Sequence, residues 1–467
     1  MKVVLADLPM AHLKGEPVTE SPNLGILYLI SYARKRLPSV EFVYLEPFLT
    51  EEEHLRRVKE IQPDVYGVSF TTTYKKLAYN TINKVTGVTN ALIIAGGVHP
   101  TLDHLDVFKN SNTDICVIGE GEETFCEILQ NRMNGKAVKN VAGSISRGCD
   151  QNPPRLALSD LDFFPAWDIV DFTKYSGSVW KKFPFAYVLP ARGCPYHCVF
   201  CSNPVWRLQK PWVRLRAPKN IADEIAMLYS RGVREIYIRC DTFNVDLKWA
   251  TDVCREIEKL GLKDLLFQCQ LRADKLSEDF VSELKTINCW LVHIGIESAN
   301  DRVLKGIDKR ISVQGIENAL ELLKKHNIDV YGFFMLYNVW EERGELFWET
   351  TDEVKNTLNF AKKMLDSKLL TYISWAITKP IIGSRLYDIA KKYNLINDSG
   401  SRFPMRIPQT SVNDMLENYG KGLALQLWNG FNTGIIKPGD VRAERKFRTL
   451  VNVLVEELGS FEKDKKK

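Results

Sequence analysis

No segment of this 467-residue chain offers the ~18 consecutive apolar residues that a membrane-spanning helix needs. The amino-terminal "MKVVLADLP" has one lysine and a very short apolar run, so it does not read as a secretory signal. Net charge is scarce as well. Of the formal +5, the terminal "KDKKK" (463–467) supplies +3 (four positive charges, one negative), which leaves about +2 for the rest. That balance gives no electrostatic footprint for nucleic acid, and the tail reads as a solvated end. Internal repeats and low-complexity tracts are also missing. These absences set the expectation of a cytoplasmic protein with no nucleic-acid partner and no transmembrane segment.

Clustered cysteine is nearly absent too. Of ten cysteines, only Cys194, Cys198 and Cys201 lie close together, inside "LPARGCPYHCVFCSNP" (189–204). In a reducing compartment the others are expected to be thiols or small buried apolar groups. Cys116, Cys126, Cys254, Cys269 and Cys289 fall in strand or helix patterns and read as core. Cys240 ends a strand and is a candidate to reach a site, whereas Cys149 falls in a connector.

What is present is an ordinary globular balance, 45% hydrophobic and 26% charged, in a chain long enough for two or three domains. Residues 1–145 alternate strand and helix. The strands are "KVVLA" (2–6), "EFVYLEPF" (41–48), "DVYGVSF" (64–70), "ALIIAGG" (91–97) and "DICVIGEG" (114–121), and helical periods lie between them. Five strands so interleaved imply a doubly wound, Rossmann-like parallel sheet, whose ligands sit at the carboxyl ends of the strands. Those ends carry Asp7, Ser69, Gly96, Gly97, Gly119 and Gly121, and glycine there lets a flat ligand approach the backbone. Residues 146–182 read as a connector packed down by its aromatics. From "FAYVLP" (185–190) the alternation restarts. Six strand–helix units run to about residue 400, the pattern of a partial (β/α)6 barrel of TIM type with its chemistry at the strand carboxyl ends. Residues 401–467 read as a helical region with a basic tail.

The cysteine triplet sits just past the first barrel strand, with the spacing Cys-x3-Cys-x2-Cys. Three thiolates on one loop can hold three irons of a 4Fe–4S cluster and leave the fourth iron open. A structural zinc site is the competing possibility, with His197 as the fourth ligand. The triplet in this context resembles the hallmark of the radical S-adenosylmethionine family, and Phe200 fits that family's aromatic near the adenine. "IRCDTFNVD" (238–246) resembles the second-strand motif, with Asp241 as the expected contact of the methionine amino group. "HIGIESANDRVLKGIDKRIS" (293–312) resembles the fourth-strand block of the cobalamin-linked branch. There Glu297 and Ser298 are expected to face the ligand, and Arg272, ending the third strand, is a candidate carboxylate partner. The resemblance weakens at "LYNVWEERGELFWET" (336–350), where the family usually carries a glycine–proline turn, and returns at 377–396.

The first domain resembles the cobalamin-binding domain fused to that branch, through "SPNLGILYLISYARK", "GVSFTTT", "AGGVHPT" and "DICVIGEGEETFCEIL". Ser69 and Gly96 lie 27 residues apart, a separation suited to a nucleotide tail passing between two strand ends. Cobalamin proteins that replace the lower cobalt ligand use an Asp-x-His-x-x-Gly loop. Here "DLPMAHLKG" (7–15) keeps His12 and Gly15 but has Met10 in place of the aspartate, so His12 is expected to be a plain loop residue. His99 is a second histidine that could lie near the cofactor.

The resemblance implies a radical enzyme using a 4Fe–4S cluster, S-adenosylmethionine and cobalamin. The cluster would cleave S-adenosylmethionine to a 5′-deoxyadenosyl radical. Methylation of an unactivated carbon is the leading expectation, and a non-methylating cyclase or ring-rearranging enzyme is the alternative. A non-catalytic iron–sulfur or zinc protein is the alternative of another class. The implied partners are a small-molecule, lipid or peptide substrate and an electron donor such as flavodoxin or ferredoxin. The catalytic residue acting on substrate is not legible.

Overall fold

The structure, a computed structural model, describes residues 1–11, 21–177, 179–203, 207, 210–397, 404–436 and 449–451. His12, Gly15, the basic tail and most of the amphipathic segment 445–459 lie outside the described residues. The chain divides into two compact units. One comprises Met1–Gly177 with Val205–Arg216, the other Ser178–Pro204 with Ala217–Lys467. Among the described residues no helix is long and apolar enough to cross a membrane.

The first unit is built on a sheet whose strands are β1 (Lys2–Ala6), β2 (Glu41–Leu45), β3 (Val65–Ser69), β4 (Leu92–Gly96), β5 (Ile115–Val117) and β6 (Ser144–Ser146), in the order β2-β1-β3-β4-β5-β6. The first five are parallel, as expected. β6 is added antiparallel at the edge of β5, beyond the five strands expected. Three residues, "SIS", are too few to show a period-two pattern in the sequence. Both faces are apolar because successive strand residues point to opposite sides. Val4, Ala6, Tyr66, Val68, Ile93 and Ala95 pack on one face, and Val3, Leu5, Val65, Ile94, Ile115 and Val117 on the other.

The connector belongs to this unit. Leu158, Leu161, Ala166, Trp167, Phe172 and Tyr175 are all buried. Phe163 meets Tyr28 edge to face at 5.3 Å. Position 145 therefore falls inside β6, and packing continues to Gly177 because that is where the connector's aromatics find cover.

The second unit is a six-stranded parallel half-barrel. Its strands in chain order are Phe185–Val188, Glu235–Ile238, Leu266–Leu271, Cys289–Glu297, Asp329–Leu336 and Tyr372–Ile377, and each pairs with its sequence neighbour. Helices Pro218–Ser230, Leu247–Glu258, Glu278–Thr286, Val313–Lys325 and Thr351–Asp366 supply the crossovers. An antiparallel hairpin, Val339–Glu342 with Glu345–Trp348, follows the fifth strand. Its two turn residues, Arg343 and Gly344, both have positive φ, the geometry of the tightest hairpins.

The amino-terminal end of the half-barrel is closed by a buried carboxylate. Glu235 accepts from the backbone N–H of Lys181 and Lys182, from Gln268 Nε2 and from Trp290 Nε1, at 2.7–2.8 Å. Trp180, in the loop so pinned, stacks on Phe185 with ring centres 3.8 Å apart. This floor leaves the carboxyl-terminal end as the open side.

Removing the carboxylate leaves four donors without an acceptor. Each buried orphan costs roughly 1–3 kcal/mol, less whatever water recovers, so Glu235→Ala should destabilise the second unit by about 3–5 kcal/mol. Urea denaturation of the two proteins measures this. A change below about 1 kcal/mol would show that the floor is held by ring packing alone.

Candidate functional site

The thiol loop follows the first barrel strand and is fastened at its centre. Val199, 1% exposed, donates its N–H to Ile307 O and accepts from Leu386 N–H, both at 2.9 Å. Cys201 N–H returns to Cys198 O at 3.1 Å, which turns the loop so that flanking side chains face the same region. Arg385 Nη1 donates to His197 O at 3.3 Å. Cys194, Cys198 and Cys201 are all partly exposed, whereas the other cysteines of this unit, Cys240, Cys254, Cys269 and Cys289, are buried. Burial raises the Cys201 thiol to about 11, and neighbouring Cys198 and Cys194 push the same way against the Asn203 N–H. Among the described residues no group of three His, Cys, Asp or Glu side chains is arranged around a single metal ion. The donor set is all sulfur, solvent-reachable and three in number, which suits a cluster better than closed tetrahedral zinc.

Around this loop the half-barrel mouth is charged. Asp241, just past the second strand, is exposed and close enough to Cys201 to bear on its ionisation. Phe200 is half-buried beside Val199. Glu297 ends the fourth strand with φ +66 and is 7% exposed, paired with Lys309 Nζ at 2.8 Å. Burial works against the Lys309 charge, but the Glu297 carboxylate and Cys198 together outweigh it and hold the ammonium above its ordinary range. This pair lies directly over Gly295, where a Cβ would come within 2.3 Å of Glu297 Oε1 and 2.7 Å of Lys309 Nζ.

Two of the expected ligand contacts are engaged elsewhere. Ser298 is fully buried and does not face the mouth. Its hydroxyl donates to Glu349 Oε1 at 2.9 Å and lies 3.2 Å from Thr357, because the turn after Glu297 swings it beneath the strand end. Glu349 also takes Asn338 N–H and Nδ2, and burial raises its carboxyl to about 7. Arg272 is 6% exposed and engaged within the protein. It donates to Asp274 Oδ1 at 2.9 Å and Lys309 O at 2.7 Å, and its guanidinium lies 3.6 Å over the ring of Tyr196, inside the thiol loop. It braces that loop. Cys240 is buried, which holds its thiol well above the usual range. Lys309, Tyr196 and Glu349 were not singled out by sequence. Lys309 lies in the fourth-strand block, where its charge was a visible signal.

In the first unit the strand ends gather side by side. Ser69 and Gly96 are register partners across β3 and β4. Gly97 has φ +91, and a Cβ there would fall 2.6 Å from Ser69 Oγ and 3.1 Å from Phe70 N, so any other residue is strained and must displace Ser69. Gly119 has φ +76 and donates its N–H to Thr101 Oγ1 at 3.1 Å. Gly121 differs. A Cβ there would meet Leu29 at 3.3 Å and Val117 at 3.4 Å, so it serves close helix–strand packing. The bare backbone at Gly96 and Gly97 is the kind of surface a large flat ligand needs. His99 is fully buried, with Tyr79 OH at 2.8 Å and Thr72 Oγ1 at 3.1 Å, and burial lowers its pKa. It is a structural histidine. Asp7, just past β1, is 9% exposed and accepts from Tyr44 OH and from Asn23 Nδ2. Burial raises its carboxyl to about 6 despite these donors.

Comparison with known proteins agrees with this layout. The B12 binding domain family matches residues 13–129 and the Radical SAM superfamily residues 188–347. The chain is 31% identical to an uncharacterized methyltransferase of Pyrococcus horikoshii, over 85% of this chain and 84% of that one. It is 23% identical to the anaerobic magnesium-protoporphyrin IX monomethyl ester cyclase of Cereibacter sphaeroides, over 76% of this chain and 61% of the cyclase. Its fold matches the cobalamin-dependent S-adenosylmethionine radical enzyme OxsB, solved with aqua-cobalamin and S-adenosylmethionine. The TM-score is 0.71 at 17% identity, over 97% of this chain and 70% of that one.

Asp7 gives a pH test. Its folded pKa lies above the ordinary carboxylate value of 3.8, so the folded state holds the extra proton between pH 3.8 and about 6. The stability it contributes is full below pH 3.8 and is lost as the pH rises through about 6. Asp7→Asn can still accept from Asn23 at its one carbonyl oxygen and can donate to Tyr44 from its amide, as the protonated acid does, but cannot ionise. It should therefore raise the stability of the first unit at pH 8 by about 1–3 kcal/mol and change little at pH 4. Thermal melts at the two pH values measure this, and an equal effect at both would exclude a raised Asp7.

Proposed function

This chain belongs to the radical SAM superfamily, in the branch that carries a B12 binding domain, and we propose that it methylates an unactivated carbon of a small-molecule substrate. Its cofactors are a 4Fe–4S cluster, S-adenosylmethionine and cobalamin. The observation that carries the proposal is the pairing, in one chain, of a three-thiol loop at a half-barrel mouth with a sheet whose strand ends are bare backbone. The first is suited to radical generation and the second to holding a methyl carrier. The methyltransferase name of the Pyrococcus horikoshii relative supports the choice of reaction.

Bound in these sites, the cluster with S-adenosylmethionine supplies one-electron cleavage of a sulfonium, and cobalamin supplies a carrier for the methyl group. The residues would do the rest. Cys194, Cys198 and Cys201 hold three irons, and Arg272, through Tyr196, keeps their loop seated. Asp241 and the Glu297–Lys309 pair present both signs of charge to the amino and carboxylate groups of the methionine moiety. Phe200 offers its ring to the adenine. Ser298 and Glu349 act from beneath by fixing the strand end that carries Glu297. Ser69, Gly96, Gly97 and Gly119 line the path of the cobalamin. The electron would come from a flavodoxin- or ferredoxin-type donor. A second reading, oxidative ring closure without methylation, draws on the likeness to the cyclase.

The anaerobically reconstituted protein with reductant should release 5′-deoxyadenosine and, in equal or greater amount, S-adenosylhomocysteine. Deoxyadenosine without homocysteine product over many turnovers favours ring closure instead. Cys198→Ala should lose its cluster absorbance and all S-adenosylmethionine cleavage yet still bind cobalamin. Gly97→Ala should do the reverse, keeping its iron while cobalamin affinity drops by about tenfold or more. If each variant lost both cofactors, the two sites would not be separable in this way.

A further inference from the structure

Side chains with no part in the reaction above tie the carboxyl ends of β3, β4 and β5 together. The short helix Val98–Leu102 starts at Gly97 and reaches both neighbouring strands. His99 N–H donates to Phe70 O, just past β3, at 3.1 Å. Thr101 Oγ1 donates to Gly97 O at 2.8 Å and accepts from Gly119 N–H, beyond β5, at 3.1 Å. A second connection runs inward from Lys75 through Asp106, Tyr79 and His99. It ends on Thr72, in the turn after β3.

The protons along this path have one arrangement. Burial works against the Asp106 charge, but Lys75 and Tyr79 outweigh it and hold the carboxyl below its ordinary value. An ionised carboxylate only accepts. The single Tyr79 hydroxyl proton therefore goes to Asp106 Oδ2, 2.9 Å away. That leaves the Tyr79 oxygen to accept from His99 Nε2 at 2.8 Å. Burial, reinforced by Lys75, lowers the His99 pKa and keeps the ring neutral at pH 7. With its one proton on Nε2, the ring presents Nδ1 as a bare acceptor. Thr72 Oγ1, 3.1 Å from Nδ1, gives its only proton there.

What remains on Thr72 is an oxygen with open lone pairs and no proton to offer. Ser69, at the end of the same strand, is the converse. Its hydroxyl has no partner among the described residues and is free to donate. Both residues are half-buried, and the bare backbone of Gly97 keeps the space beside Ser69 Oγ clear. A primary carboxamide carries a donor and an acceptor side by side, whereas a carboxylate or phosphate carries acceptors alone. An oxygen that can only accept pairs with the first and repels the others. The corrin ring of cobalamin is edged with carboxamides.

We propose that Thr72 accepts from a carboxamide N–H of the bound cobalamin, with Ser69 as the accompanying donor. His99 is then a positioning residue, which acts through Thr72 by taking its proton. This deepens the cobalamin site described above and rests on cobalamin lying at these strand ends.

Two measurements on the full chain test it. Nitrogen nuclear magnetic resonance of the histidine-labelled protein should show His99 neutral and protonated at Nε2, its signal identified by loss in His99→Asn. Cobinamide, edged with amides, and cobyrinic acid, edged with carboxylates, are then titrated against parent and variants. The parent should prefer cobinamide. Thr72→Val should cut that preference by about tenfold, chiefly by weakening cobinamide, and Thr72→Ser should keep it. His99→Phe, which returns the proton to Thr72, should cut the preference too. His99→Asn, whose amide oxygen replaces Nδ1, should restore part of it. If His99→Phe does not fold, the Thr72 pair and the resonance still decide. An equal preference in parent and Thr72→Val overturns the proposal, and so does a His99 proton on Nδ1. Cobalamin binding untouched by Thr72→Val overturns the Thr72 assignment alone. A parent chain that binds neither cobalamin nor cobinamide overturns the reading of the first unit, and this assignment with it.

Discussion

Parallel strands can be joined only by crossovers, so in each unit the parallel strands all enter from one side and leave at the other. That constraint decides where chemistry can stand. All six barrel strands end around one opening, and the thiol loop, Asp241, Arg272 and Glu297 arrive there from four different strands. In the first unit the same rule sets Ser69 beside Gly96. The opposite end of each strand is free to be structural, and Glu235 with its four donors uses that freedom to close the half-barrel.

At the opening, polarity is bought with strain and burial. Glu297 holds a left-handed φ, which costs a non-glycine residue about 1–2 kcal/mol, and it is taken out of water as well. The Lys309 ion pair offsets the desolvation, and the Ser298–Glu349–Asn338 network holds the backbone turn. Gly295 clears room for the pair. A buried carboxylate raised to about 6 at Asp7 and another raised to about 7 at Glu349 belong to the same pattern. Groups kept at strand ends for their charge or their hydrogen bonds stand where apolar packing would be more stable.

The architecture was largely legible because parallel strands buried on both faces read as continuous apolar runs, such as "VVLA" and "LIIA". The thiol triplet was legible from its spacing alone. What escaped was whatever depends on which way a side chain turns. Ser298 and Glu297 are neighbours, yet Glu297 pairs with Lys309 while Ser298 is bound to Glu349. Arg272 looked like a ligand contact, but its neighbour Asp274 and the ring of Tyr196 occupy it. β6 is three residues long and shows no period. The hairpin at 339–348 turns on Arg-Gly, but its flanks, "VWEE" and "ELFW", do not alternate, and it stands where a glycine–proline turn was expected.

β6 also governs how the first unit behaves toward its own copies. A parallel sheet that stopped at β5 would leave one side of that strand with unpaired N–H and C=O groups, open to a strand from another molecule. β6 runs the other way along that side, is only three residues long, and is buried at all three positions. The next chain would find a short, covered border in place of a long template. A segment too small to read in the sequence thereby works against aggregation while the rest of the chain is still folding.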